Sequence, residues 1–192
     1  MSVEEEIREE GDEREHAARA EALRRVALAQ IRQYPDPVLR LQANEVGSFD
    51  DHLSRLADRM TQLMHDARGV GLAATQIGVL QRLFVFRTDE DDEAQAVVNP
   101  ALTSRSSETD VFDEGCLSLQ GVLVPVERSV EVTLEGRDLD GQPLRLELEE
   151  QAARVVQHEL DHLDGVLILE RTDDESRREA LATLRRNLSR QG

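Results

Sequence analysis

The residues most able to do chemistry lie in three short segments. In Gln157-His158-Glu159-Leu160-Asp161-His162, two histidines stand four apart and a glutamate directly follows the first. Residues four apart share a helix face, so His158 and His162 can aim at one metal ion. Glu159, one step round, could reach water held there without binding the ion itself. The same pattern also arises on charged surface helices that carry two histidines, and these residues alone leave both interpretations open.

The second segment is Glu114-Gly115-Cys116-Leu117-Ser118, which holds the only cysteine of the chain. Two histidines leave a catalytic metal one protein ligand short, since such sites commonly use three and keep one position for water. Cys116 can fill that place, or it can be buried and inert, as lone cysteines often are. The third segment runs from Gly69 to Gln76 as GVGLAATQ and continues into Ile77-Gly78. Two glycines and two alanines leave little bulk, so a peptide can approach the backbone there. Gln76 adds an amide donor. The segment lacks the Gly-Lys-Ser/Thr of a phosphate loop, and a plain tight turn into a strand is the alternative.

Taken in order, GVGLAATQ, EGCLS and QHELDH resemble the three motifs of the peptide deformylases at every defining position. The resemblance covers about residues 29–192 and extends to YPDPVLR near the start and to Asn99-Pro100. One departure follows EGCLS: many members carry a proline two residues after the serine, where this chain has Gln120. The resemblance implies a metal-dependent hydrolase that removes the N-formyl group from the N-terminal formylmethionine of newly synthesised proteins. It implies Cys116, His158 and His162 as ligands of one divalent metal, ferrous iron (Fe2+) in the cell, with Zn2+, Ni2+ or Co2+ able to substitute. It makes Glu159 the proton carrier, and Gln76 and the amide of Leu117 the donors to the developing oxyanion. The Gly71 carbonyl would accept the substrate N–H, and Val70, Leu117 and Val155 would line the methionine pocket. Glu114 and Arg128 would pair behind the metal loop. A metallopeptidase with the same helix motif is the rival; no histidine follows Asp164 to serve it. A binding module that has lost activity would lack a ligand or base, and none is missing.

These segments need elements to hold them. Leu53, Leu56, Met60, Leu63 and Met64 recur at three and four, which predicts an amphipathic helix over 50–67. Arg82 to Phe86 and Ala96 to Val98 read as buried strands, the second stopped by Asn99-Pro100. Leu123 to Val126, Val130 to Glu135 and Leu144 to Leu148 are further strands, with a turn over 136–141. Glu149 to Leu163 is the motif helix. A last helix is expected from about Asp174 to Ser189, with Leu181, Leu184 and Leu188 as its buried stripe. The expected class is α+β: antiparallel sheets packed around a central helix that carries the HExxH motif, with a C-terminal helix.

Residues 1–28 form an acidic Glu/Arg/Ala-rich extension, partly disordered or helical, with Gly11-Asp12 interrupting any helix and Leu23, Val26 and Ile31 offering some purchase. Residues 29–192 form the catalytic domain. Asp89 to Glu93 is an acidic loop tip without the glycine and spacing of a calcium loop.

The chain carries 40 acidic against 23 basic residues, a net charge of −17, which disfavours non-specific contact with nucleic acid or anionic membrane. All its basic residues are arginine, so lysine Schiff-base chemistry is excluded. One cysteine excludes an internal disulfide. No apolar run reaches the roughly 18 residues that span a bilayer, and the acidic start lacks the pattern of a signal peptide. The expectation is a cytoplasmic monomer that acts on formyl-methionyl peptides. Arg178, Arg185, Arg186 and Arg190 on the last helix are either a solvated basic face that balances the acidic body or the place for a transient ribosome contact, as in some members of the resembled family.

Overall fold

The computed structural model describes the backbone of residues 3–88 and 92–191, with side chains from 14 to 88 and from 92 to 189. The helices are α1 (Val3–Gln30), α2 (Asp51–Asp66), α3 (Glu150–Leu163) and α4 (Asp174–Gln191). The strands are β1 (Gly71–Ala73), β2 (Leu83–Phe86), β3 (Gln95–Arg105), β4 (Thr109–Gly115), β5 (Leu123–Ser129), β6 (Glu131–Arg137) and β7 (Pro143–Glu149). β1-β2-β3-β6-β7 make one antiparallel sheet and β4-β5 a second. α3 packs against β1, β2, β6 and β7 of the large sheet and against β5 of the small one, so the helix bearing both histidines is central. The α+β class and the placing of the motif helix follow the sequence expectation.

β2 shows why its sequence is apolar throughout. Leu83 and Val85 join one core cluster with α2, while Phe84 and Phe86 turn to the other face and join a cluster with α3. Alternation puts successive side chains on opposite faces, and here both faces are covered. A third cluster binds β5 to Leu167, Ile168, Leu169 and the buried Ala180 and Leu184 of α4. α2 starts at Asp50, whose Oδ1 accepts from the amides of His52 (2.9 Å) and Leu53 (3.2 Å). No helix among the described residues is long and apolar enough to cross a membrane.

Four expectations need correction. α1 runs unbroken through Gly11-Asp12; a helical glycine costs only about 1 kcal/mol, which the surrounding Glu, Arg and Ala offset. Of the three residues expected to give purchase, Ile31 is buried just beyond the end of α1, but Leu23 and Val26 are exposed, and Ala27 and part of Leu28 take their place. Ala27, Leu28 and Ile31, with Arg24 before them, follow the spacing of one helix face. On α4, Leu184 is buried but Leu188 is 44% exposed, because Ala180 takes the inner position. β3 does not stop at Asn99-Pro100 but continues to Arg105 through a register shift between Val98 and Ala101. β4 was missed altogether: Val111 and Phe112 are adjacent, both exposed, and spoil any alternation. Within the acidic run 89–93, residues 89–91 lie outside the described residues.

Asn99 makes the irregularity in β3 workable. Its φ is 49°, a left-handed conformation that Asn tolerates better than most residues. Its side chain accepts from the Val46 amide (2.8 Å) and donates to the Val46 carbonyl (2.9 Å). Asn99→Ala is expected to lower stability by about 1–3 kcal/mol, through lost hydrogen bonds and a strained φ. Asn99→Gly should recover the backbone part only. Urea unfolding midpoints of the three proteins check this; equal midpoints for Asn and Ala would refute it.

Candidate active site

The three motif segments meet at one point. Cys116 stands just after β4, while His158 and His162 lie one turn apart on α3. One ligand atom from each lies within 4.8 Å of the others. Cys116 Sγ is 3.2 Å from His162 Nε2, which is 3.2 Å from His158 Nε2. Ligand bonds of ~2.0–2.3 Å at the tetrahedral angle place ligand atoms about 3.3–3.6 Å apart. The donor set therefore fits one small divalent ion. The open side of this cluster faces a cleft of about 660 Å³ lined by Val70, Gly71, Gln76, Leu117, Val155 and Glu159, among others. His162 is on the closed side, 2% exposed, with its backbone carbonyl accepting from Thr75 Oγ1 (3.1 Å).

The GVGLAATQ segment becomes β1 and a 3-10 turn over Ala74–Ile77. The Gln76 side chain is fixed at both ends. Its Oε1 accepts from the Ala73 amide (2.9 Å) and its Nε2 donates to Ser118 Oγ (3.1 Å), close to Cys116 Sγ at 3.6 Å. The amide of Ser118 also points at that sulfur, 3.4 Å away. Both loops are clamped by the segment after α1. The Arg32 amide donates to the Gln76 carbonyl (2.7 Å), Gln33 Nε2 to the Leu117 carbonyl (2.9 Å) and the Tyr34 amide to the Ser118 carbonyl (2.9 Å).

Gly71 does more than expose backbone. A Cβ built there would lie 2.8 Å from Glu159 Cδ and still closer to a carboxyl oxygen. The glycine therefore provides the space in which the Glu159 carboxylate sits. Glu159 is 4% exposed and its Oε2 has no hydrogen-bond partner among the described residues. Burial raises its pKa to about 7, with the Glu114 charge adding to burial and the charges of His158 and Arg128 opposing it. A carboxyl group near neutrality can both take and return a proton.

Behind the cluster lies a buried ionic network. Glu114 accepts Arg128 Nε and Nη2 in a fork, both at 2.9 Å, as well as Arg154 Nη1 at 2.8 Å. His158 Nδ1 lies 3.0 Å from Glu114 Oε2, which fixes the imidazole so that Nε2 faces Cys116. Arg128 Nη1 also reaches Asp161 (2.6 Å), whose carboxylate accepts from Arg171 as well. Burial opposes ionisation of Glu114, but the hydrogen bonds of Arg128 and His158 outweigh it and hold the group well below the usual carboxylate range. For His158, burial pushes down while hydrogen bonds to Cys116 and Glu114 prevail and push it well above the usual range. Burial and the neighbouring His158 charge push His162 well below it.

Glu114 and Arg128 are thus paired as the sequence suggested, but Arg154 and Asp161 were overlooked. A signal was present. Arg154 lies four residues before His158, on the same helix face and beside Val155 and Val156, and a buried arginine requires a partner. Gln120 lines the cleft, and its carbonyl accepts from Asn187 Nδ2 of α4 (3.3 Å).

Residues 28–178 match the family described as Polypeptide deformylase. The chain belongs to the peptide deformylase family. It is 43% identical over 162 residues to "Peptide deformylase 1" of Corynebacterium glutamicum, covering 83% of this chain and 96% of the relative. With the peptide deformylase of Thermotoga maritima it shares 44% identity over 144 residues, 75% of this chain and 87% of that one. Among solved structures, a peptide deformylase from Legionella pneumophila superposes with a TM-score of 0.80 at 38% identity, covering 84% of this chain and 95% of its own. The enzyme from Thermotoga maritima superposes with a TM-score of 0.72 at 43% identity, covering 74% and 96%. Members of this family are hydrolases acting on formyl-methionyl peptides.

The contact between Gly71 and Glu159 can be tested. Gly71→Ala should displace the carboxylate and lower kcat for deformylation by roughly 10²–10⁴-fold, the range of a lost acid–base step. Bound metal per chain, read by elemental analysis, should be unchanged. A Gly71→Ala protein with normal kcat would show that Glu159 has slack at this contact.

Proposed function

We propose that this cleft performs the family's reaction, removal of the N-formyl group from the N-terminal formylmethionine of newly synthesised proteins, with roles divided among the chain's own residues. The observation that carries the assignment is the convergence of one thiol and two imidazoles beside a buried glutamate at the wall of an open cleft. Cys116, His158 and His162 would hold one divalent metal, ferrous iron in the cell, with zinc, nickel or cobalt as substitutes; thiolate and imidazole suit each of them. When bound, that ion supplies a Lewis acid and makes water acidic enough to ionise near neutral pH.

Glu159 takes a proton from the attacking water and returns one to the departing amine. Water adds to the formyl carbon, the C–N bond breaks, and formate and a free amino terminus leave. The Gln76 side-chain amide, held next to the Cys116 sulfur, and the Leu117 backbone N–H donate to the oxygen that gains charge. The Gly71 carbonyl orients the substrate N–H. Val70, Leu117 and Val155 receive the methionine side chain, an apolar patch beside the cluster that excludes water. Glu114 and Arg128 hold the loop and the His158 ring in place. Residues 29–192 act as the catalytic domain and 1–28 as its extension. The downstream ligand of an HExxH peptidase is replaced here by Cys116 on the β4–β5 connection.

We further assign the chain to the cytoplasm as a monomer, meeting its substrate at the ribosome through α4. Arg178, Arg185 and Arg186 are exposed, while the side chain of Arg190 lies outside the described residues.

Glu159→Ala is expected to keep its metal and lose turnover by roughly 10²–10⁴-fold. Deformylation of a formyl-methionyl tripeptide, measured anaerobically beside elemental analysis, checks this; near-normal turnover of a loaded variant would remove Glu159 from the mechanism. Co-sedimentation with ribosomes should be visible at low salt, fall steeply as salt rises, and be lost when Arg178, Arg185, Arg186 and Arg190 are all serine. Equal co-sedimentation of both proteins, or none by either, would leave these arginines as solvated surface.

A further inference from the structure

One wall of the cleft reaches past the start of the family match, at residue 28, to Arg24. Arg24 and Leu28 of α1 line it, together with Arg68 after α2, and Phe112 and Leu123 of the small sheet also line it. Ala27 and Ile31, on the same face as Arg24, are 1% and 3% exposed, so the helix is pinned to the body and Arg24 is held in place. The Arg24 Nε is buried and has no hydrogen-bond partner among the described residues. Its nearest acid is Glu21, 3.8 Å away and largely solvated, a pairing of little strength.

Arg68 is a second cation on this wall, and its side chain has no hydrogen-bond or ion-pair partner among the described residues. It holds φ 58° at the end of α2, a left-handed position that glycine fills without strain and arginine does not. The acids nearby do not neutralise the pair. Glu114 is engaged by Arg128, Arg154 and His158. Glu159 sits deep against Gly71. Asp113 of β4 is exposed and also lines the cleft, but it makes no ion pair with either arginine among the described residues.

We propose that Arg24 and Arg68 form an anion-accepting subsite on the cleft rim, so that the enzyme favours formylated peptides with an acidic side chain at the second or third residue. This rests on the cleft being the peptide site of a deformylase. The chain as a whole carries a net charge of −17, so its long-range field favours cationic peptides. A preference for acidic ones can come only from local cations at the rim.

The test uses the metal-loaded full chain and formyl-methionyl tripeptides with Ala-Ser, and with Glu or Lys at the second or third residue. For wild type, kcat/KM should favour Glu over Lys by about 3- to 10-fold at low salt at one of the two positions, carried by KM, as expected for two partly exposed ion pairs. The ratio should shrink when salt is raised to about 0.5 M. The double variant R24Q/R68Q should bring it to within about twofold of unity, while R24K/R68K should keep most of it. A wild type without the preference, or a glutamine variant that retains it, overturns the subsite while turnover of the Ala-Ser peptide upholds the deformylase. No turnover of that peptide by wild type overturns both.

Discussion

The Glu114 carboxylate is the point on which the rest of the site depends. It stands on β4, directly before the loop that carries Cys116, and is bound by an arginine from β5, an arginine from α3 and the His158 ring. Two strands and the central helix are thereby fixed to one another at a single buried charge. A shift of Glu114 would move the thiol and rotate the imidazole together. Because α3 packs on both sheets, the same contact sets the distance between the two halves of the fold.

Burying so many charges is unfavourable unless they compensate one another. Three acids, Asp110, Glu114 and Asp161, face three arginines, 128, 154 and 171. Arg154 lies under the Phe112 ring, 5.2 Å from its centre, which shields its outer face from water. A buried ion pair seldom adds net stability over apolar packing of the same volume. Its value here is geometric, since fork-shaped guanidinium contacts fix direction as well as distance. An apolar replacement could support the sheets but could not hold His158 Nδ1, and Nε2 would then lose its aim at Cys116.

Much of this was legible in the sequence, for identifiable reasons. α2 announces itself because it buries one face, and spacing at three and four is visible in a string of letters; α3, buried almost all round, was legible from its motif and the turn that ends it. β2 was legible because burial on both faces leaves an unbroken apolar run. β4 was not, since Val111 and Phe112 are exposed and the strand shows neither an apolar run nor an alternation, although its partner β5 is the next strand. The cluster of Cys116, His158 and His162, which could hold a metal ion, was legible because His158 and His162 are neighbours in sequence and Cys116 belongs to a fixed motif. The role of Gly71 as space for Glu159 is a contact across 88 positions, and no local pattern encodes it. Arg24 fell in a segment whose composition suggests mostly solvated helix; what brings it to the cleft is the burial of Ile31, which the sequence suggested, together with that of Ala27, too small to stand out.

Among the described residues, the buried side-chain polar atoms left without partners are Arg24 Nε, Glu159 Oε2, His162 Nδ1 and Thr172 Oγ1. Three of these belong to residues of the cleft or its metal cluster. Each such group costs about 1–3 kcal/mol in a folded chain, so their clustering is not what stability alone would produce. Gln76 shows the contrast: it lines the same cleft, yet both ends of its side chain are bonded and it is held rigid. The site thus divides its polar groups into two kinds. Those that must keep a fixed direction, Gln76 and His158, are satisfied within the fold. Glu159 keeps one oxygen unbonded among the described residues and its pKa near 7; in the proposed role of proton carrier, bonding it to a further donor within the protein would stabilise the carboxylate and weaken it as a base.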